Sequence, residues 1–171
     1  MVDHSVNAPQ AAANVISEWV WYEGTDAILE GEAMCYNTDY GTAAAFDGKR
    51  GNRVERPTSS NNMAFAGVAA TSYAARSTGQ YIKIHCPGSK GVNIAIAAPT
   101  VINTGLLTFA VGGGTGPNGR FVKSGFPGRG TAIPRQTVAE GTGVLESDLI
   151  GTAWSLATDG VTLPVASTTG C

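Results

Sequence analysis

Few side chains in this chain could carry acid–base or metal chemistry, because only two of its 171 residues are histidines. His4 lies in a polar N-terminal stretch. His85 alternates with Lys83 and Tyr81 along a predicted strand, so the neighbouring Cys86 points to the opposite face. A zinc site needs three or four ligands, and no such set is grouped here. We therefore predict no metal site.

Nucleophile patterns are equally weak. The cysteines, Cys35, Cys86 and Cys171, have no ligand-like spacing, and the first two lie in apolar runs typical of small core residues. No Gly-x-Ser-x-Gly elbow is present. Glu30 and Glu32 flank a glycine and are interpreted as turn residues, although a glycosidase-type carboxylate pair stays open. We predict that the protein is not an enzyme; a small hydrolase would have no motif behind it.

A stretch from Gly114 to Phe121 begins like a phosphate-binding P-loop. Arg120 replaces the lysine that reaches the phosphates, and Phe121 replaces the metal-binding serine or threonine. Pro117 also removes a backbone donor, and no βαβ pattern surrounds the stretch. We therefore predict a loop that binds no nucleotide and a protein without a cofactor.

The charge of the chain argues against nucleic-acid partners. The net charge is −2, and charged residues make up 14% of the chain against about 25% in ordinary domains. No basic field is present that would attract a polyanion. One basic cluster is predicted to be a solvated loop, with contact to an acidic neighbouring protein as the alternative: Lys49, Arg50, Arg53 and Arg56.

Membrane insertion and secretion are not expected either. No run approaches the ~18 apolar residues that a membrane span requires. The first residues, Met1 to His4, lack the basic region and apolar core of a signal peptide. We expect a soluble protein made in a cytoplasm, where free thiols persist.

The first residues, 1–15, are polar and rich in alanine, and they show no sustained hydrophobic period. We predict an extended N-terminal arm there, either disordered or ordered only against a neighbour. A single β-rich domain is predicted to follow over residues 16–171.

The domain is expected to begin with a strand over residues 15–22, which are dense in aromatic and β-branched residues. Alternation places Trp19 and Trp21 on one face of this strand, and Val20 and Tyr22 on the other. Aromatic residues in such a cluster usually fill a core. The alternative is an exposed platform that anchors a protein or stacks on a sugar ring.

Turn sequences recur every eight to twelve residues, the spacing of an antiparallel barrel or sandwich. The clearest pair spans residues 81–97, where period-2 alternation on both sides of the turn at 87–91 predicts an antiparallel hairpin. Helix is expected only as short turns at 146–150 or 70–75. We therefore predict an all-β fold, with further strands at 106–111, 135–139, 153–157 and 161–165.

A long loop is predicted near residues 112–130, which contain eight glycines and two prolines. Such a composition disfavours regular elements. Long loops in compact domains are usually functional, and this one could reach a neighbouring molecule.

The order of parts over residues 28–98 resembles that of a known family. A turn at Leu29–Glu32 leads into the apolar run Ala33–Tyr36, and a Gly-rich polar excursion follows. Then come Phe65–Ala69, within Asn61–Ala70, and the two strands of residues 81–97. This order is similar to the small head decoration (cement) proteins of tailed bacteriophages, β-rich modules on the outer capsid surface. The portion after about residue 100 has no counterpart in that family.

The resemblance implies a structural virion protein that is made in the host cytoplasm and binds the major capsid protein, bridging neighbouring capsid subunits as a dimer or trimer. The alternative is a carbohydrate-binding or adhesion module with an exposed aromatic platform. The residues that we expect to contact a partner lie in the arm, the first strand and the long loop: Val6, Pro9, Val15, Trp19, Trp21, Arg120, Phe126 and Arg129.

Overall fold

A computed structural model describes residues 14–37, 52–97, 106–111, 118–123, 131–135 and 143–150, and the backbone of 157–158. Across these residues the chain is all-β, as predicted, and contains no α-helix. None of the described elements is a helix that could cross a membrane. The described strands are β1 (Ser17–Tyr22), β2 (Ala33–Tyr36), β3 (Arg53–Glu55), β4 (Phe65–Ala69), β5 (Gln80–His85), β6 (Val92–Ile96), β7 (Leu107–Val111), β8 (Phe121–Lys123), β9 (Ala132–Pro134), β10 (Gly143–Leu149) and β11 (Ala157–Thr158).

Two closed barrels form the body. The first runs in the order β1-β3-β2-β4-β5 and closes through the antiparallel β1–β5 ladder. The second closes through the β7–β9 pairing into the ring β7-β8-β6-β10-β9, with β11 beside β7. Closure leaves few unpaired strand edges, because each strand within a ring has neighbours on both sides.

The β2–β4 pair is a wall shared by both barrels. All of β4 is buried, which explains why its sequence is apolar or glycine throughout and does not alternate. One face of the wall packs into the first core through Met34, Ala66 and Ala69. The other face packs into the second core through Ala33, Cys35, Phe65 and Val68.

A β-bulge in β4 makes this double packing possible. Met34 pairs with Gly67 while Cys35 pairs with Phe65, so Ala66 is an extra residue in the ladder. The insertion lets Phe65 and Val68, three residues apart, face the same core. Gly67 adopts a φ of 155°, and a Cβ there would lie 2.3 Å from the carbonyl oxygen of His85. Only glycine fits at this point of the wall.

The predicted strands of residues 81–97 exist as β5 and β6, but the predicted hairpin is wrong. Both edges of β5 are occupied, by β1 and β4, so no edge is left for β6. The β6 strand pairs with β10 and β8 in the second barrel. The turn at 87–91, with Gly88 and Gly91 at positive φ, therefore carries the chain from one barrel to the other.

The suggested helical turns are also wrong. Residues 146–150 belong largely to β10, in which buried Leu145, Ser147 and Leu149 alternate with more exposed residues. In the second segment, residues 70–75, Tyr73 forms an isolated bridge with Ile28.

The predicted loop at 112–130 is interrupted by β8, because Phe121 is fully buried in the second core. The rest of that loop, except 118–120, lies outside the described residues. The strand predicted at 106–111 is confirmed as β7. Of the strand predicted at 135–139, only Arg135 is described, and it lies just after β9. Of the strand predicted at 153–157, only Ala157 is described, where β11 begins. The strand predicted at 161–165 lies outside the described residues.

Candidate functional site

In the part of the chain that the structure describes, both cysteines are held in unreactive settings. Burial raises the pKa of the Cys35 thiol far above its ordinary value and raises that of Cys86 to about 11, so both stay protonated at neutral pH. Ser17 Oγ lies 2.9 Å from Nδ1 of His85, but no carboxylate in the described residues is hydrogen-bonded to that imidazole. Nor do those residues contain a group of three potential metal ligands.

A buried carboxylate lies where the two barrels meet. Glu32, 2% exposed, precedes β2 and accepts a hydrogen bond at Oε2 from the backbone of Leu29 at 3.1 Å. Arg56, which follows β3 of the first barrel, donates to the same oxygen at 2.9 Å. Arg120, which precedes β8 of the second barrel, places Nε 3.7 Å from Oε1. The three side chains form what we call the interbarrel ion cluster.

Backbone hydrogen bonds join the barrels at the same place. Gly31 has a φ of 80° and donates to Ala69 of the first barrel while accepting from Ala95 of the second. A Cβ at Gly31 would lie 2.4 Å from the nitrogen of Ala95. The amide of Ala33 donates to Gly119, just before β8. The ion cluster therefore lies in a rigid junction, and its geometry supports a structural role.

Residues 14–16, which we call the N-terminal root, are tied to both barrels through Ser89. The fully buried hydroxyl of Ser89 accepts from the amide of Ile16 at 3.0 Å and donates to its carbonyl at 2.9 Å. The carbonyl of Ser89 accepts from Leu149 at the end of β10. Lys90 donates to Asn14. Because the amide of Cys86, directly after β5, also donates to the carbonyl of Ile16, the root is linked to both barrels.

Three exposed aliphatic side chains lie in the root or close to it. Val15 and Ile16 are exposed, and so is Ile150, the residue after Leu149. Leu149 itself exchanges backbone hydrogen bonds with Gly88 and Ser89 in the turn that holds the root. We call these three side chains the root patch.

The outer face of the β1–β5 ladder carries the aromatic residues. Trp19 pairs with Lys83 and Trp21 with Tyr81, so all four side chains share the face that points away from the first core. Trp19 is 62% exposed and Tyr81 is 57% exposed, while Trp21 is half-buried. The expectation that this cluster fills a core is confirmed for Tyr22 and is wrong for Trp19. We call Trp19, Trp21 and Tyr81 the aromatic face.

The residues expected to contact a partner fall in three places. Val15 lies in the root patch, and Trp19 and Trp21 lie on the aromatic face. Arg120 lies in the ion cluster and on the edge of a cleft of about 330 Å³ that both barrels line. The remaining four lie outside the described residues: Val6, Pro9, Phe126 and Arg129.

The basic cluster also differs from the expected solvated loop. Arg53 is paired with Glu23, and Arg56 is paired with Glu32; Lys49 and Arg50 lie outside the described residues. Sequence reasoning interpreted Glu32 as a turn residue and missed its cluster. The one available signal was its place directly before the uncharged run of β2, where a carboxylate needs partners.

No protein-family model matches the chain, and comparison with curated proteins finds no significant match. A functional interpretation therefore rests on the residues and their geometry.

Proposed function

We propose that this chain is a structural virion protein that binds the outer surface of a tailed-bacteriophage capsid and stabilises it by bridging neighbouring capsid subunits. The observation that carries the proposal is the N-terminal root, which is hydrogen-bonded to Cys86 after β5 and, through Ser89, to Leu149 of β10, and which carries exposed Val15 and Ile16. A protein that bridges subunits needs a rigid body and an attachment point that transmits load to all of it.

The shared wall supplies the rigidity. Because β2 and β4 contribute to both cores, the barrels cannot separate without exposing apolar side chains of each. The interbarrel ion cluster and the Gly31 hydrogen bonds add polar links across the same junction. The body thus resists deformation when a neighbour pulls on the root.

The root patch supplies apolar contact area on the body itself. Val15, Ile16 and Ile150 would bury against the major capsid protein, and burial of apolar area is the main favourable term in most protein association. The first 13 residues of the predicted arm, which spans residues 1–15, would extend onto the adjacent subunit. Bridging as a dimer or trimer is part of the same proposal.

The test uses undecorated capsids of the phage or prophage that encodes the chain, with cosedimentation as the readout. The Val15→Asp/Ile16→Asp double variant should weaken binding at least about tenfold, because it places two charges in the contact. Val144→Asp is the matched control, since Val144 is as exposed (49%) as Ile16 but lies near the start of β10, at the opposite end of that strand from Ile150. Equal binding by both variants would contradict the role of the root patch, and no binding by the unmodified protein would contradict the proposed function.

A further inference from the structure

A small polar slot opens in the aromatic face. Trp21 and Tyr81 line it together with Asn52 and Arg53, and its volume is about 200 Å³. Both aromatic rings come from the β1–β5 ladder, whereas the polar pair comes from the start of β3, which runs parallel to β1 beside it. The slot therefore has an aromatic surface, and hydrogen-bonding side chains lie along one edge of that surface.

The aromatic part of the slot is held in place. The rings of Trp21 and Tyr81 meet edge to face, with centroids 5.0 Å apart and an interplanar angle of 77°. The indole also lies close against Gly79, where a Cβ would come within 2.8 Å of Nε1. A ring fixed in this way loses little conformational freedom when a ligand stacks on it.

The polar part is held in place too. A salt bridge to Glu23 fixes the guanidinium of Arg53. The same carboxylate accepts a hydrogen bond from the side-chain amide of Asn37. Among the described lining residues the one charge, that of Arg53, is balanced by Glu23, so this pair does not favour an anion. Asn52 adds an exposed amide that can both donate and accept.

We propose that this slot binds one ring of a neutral saccharide. A pyranose presents a flat face of C–H groups that can stack on an indole or phenol ring, and a rim of hydroxyls that both donate and accept hydrogen bonds. A proline-rich peptide would also stack on aromatic rings, but it has no hydroxyl rim to use the fixed guanidinium and the amide.

Trp19 extends the site along β1. It lies two residues before Trp21 on the same face, a step of about 6.6 Å along a strand. A longer saccharide would contact both rings, so affinity should rise from a monosaccharide to an oligosaccharide. This site is separate from the root patch, so a capsid-bound copy could still present it.

The test is titration of the purified full chain with glucose, cellopentaose, chitopentaose and maltopentaose. Intrinsic tryptophan fluorescence and calorimetry measure the binding. At least one pentasaccharide should bind, more tightly than glucose. Tyr81→Ala and Asn52→Ala should each weaken that binding, the first by about tenfold. Both side chains are exposed, so these variants avoid the risk to folding that Trp21→Ala carries.

Met63→Ala is the matched control, because Met63 is 58% exposed but does not line the slot. It should bind as the unmodified protein does. Failure of all three pentasaccharides to bind, or binding that both slot variants leave unchanged, would overturn the proposal. Capsid cosedimentation of the same slot variants should be normal, which separates this site from capsid attachment.

Discussion

Glu32 and Arg120 belong to different barrels, yet Nε of the arginine lies 3.7 Å from Oε1 of the glutamate. Glu32 directly precedes β2 of the shared wall, and Arg120 directly precedes β8 of the second barrel. Arg56 of the first barrel approaches the other carboxylate oxygen at 2.9 Å. The buried carboxylate of Glu32 thus forms ion pairs with arginines of both barrels. We therefore expect the stability of the junction to depend on this residue.

Removing the charge of this acid should destabilise the fold. We expect Glu32→Gln to lower the free energy of unfolding by about 2–3 kcal/mol, because two guanidinium groups lose their shared counter-ion in a largely buried place. This loss is smaller than the loss expected when a fully buried ion pair is broken, since both arginines are partly solvated. Urea denaturation followed by tryptophan fluorescence measures the change.

Glu146→Gln provides the control for that experiment. Glu146 pairs with Arg135 at 3.1 Å, but its side chain is 48% exposed, so the substitution should cost less than about 1 kcal/mol. If both variants lost a similar amount of unfolding free energy, the interbarrel ion cluster would stabilise the fold no more than an exposed ion pair does.

Gly67, the one glycine in the two strands of the shared wall, should not tolerate a side chain. In Gly67→Ala the new methyl carbon would lie 2.3 Å from the carbonyl oxygen of His85, and the φ of 155° is unfavourable for alanine. We expect a loss of about 2 kcal/mol or more in unfolding free energy, since the bulge must deform.

The matched control is Gly143→Ala at the start of β10, where no heavy atom lies within 4 Å of the added carbon. This substitution should be neutral or slightly stabilising, because it reduces the freedom of the unfolded chain. If Gly67→Ala behaved in the same way as Gly143→Ala, the bulge would not be needed for the double packing of β4.

His85 should make stability depend on pH. Burial lowers the pKa of its imidazole, the charge of Lys83 lowers it further, and Glu30 partly opposes both. The folded state therefore disfavours the protonated imidazole, and the unfolded state binds this proton at a higher pH. The stability that the neutral imidazole provides is present above the ordinary pKa of 6.5 and is lost as the pH falls from there to the lower folded pKa. We expect the free energy of unfolding to fall from about pH 7.5 to about pH 5.

The comparison with His85→Gln isolates this contribution, because other groups titrate in both proteins. The fall in stability should be smaller in His85→Gln, and intermediate in Lys83→Gln, which removes the repelling charge but keeps the imidazole. A steeper pH dependence in His85→Gln than in the unmodified protein would contradict the direction of the pKa shift.

The faces of individual strands could be predicted from the sequence, because alternation has a local cause. Val20 and Tyr22 are buried while Trp19 is exposed on the opposite face, as the period-2 pattern of β1 predicts. Ile82 and Ile84 of β5 likewise share a buried face. The all-β class follows from the same patterns and from the spacing of the turns.

Pairing partners and the interbarrel ion cluster could not be predicted. The pattern of β5 and β6 suits a hairpin equally well, and only the occupied edges of β5 exclude it. The bulge at Ala66 shifts the pairing of β4, and burial of the whole strand leaves no alternation in the sequence from which its faces could be predicted. Glu32, Arg56 and Arg120 are far apart in sequence, and closure of both barrels is what brings them together.

The most direct test of capsid binding through the N-terminal arm is cosedimentation of the chain with undecorated capsids, before and after deletion of residues 2–14. The intact protein should bind and raise the temperature at which the particles release their contents. The truncated protein should keep a nearly unchanged melting temperature, because the Ser89 hydrogen bonds to Ile16 remain, but it should bind and protect the capsids less. Full binding and protection by the truncated protein would contradict the role of the arm. Failure of the intact protein to bind would contradict capsid decoration itself.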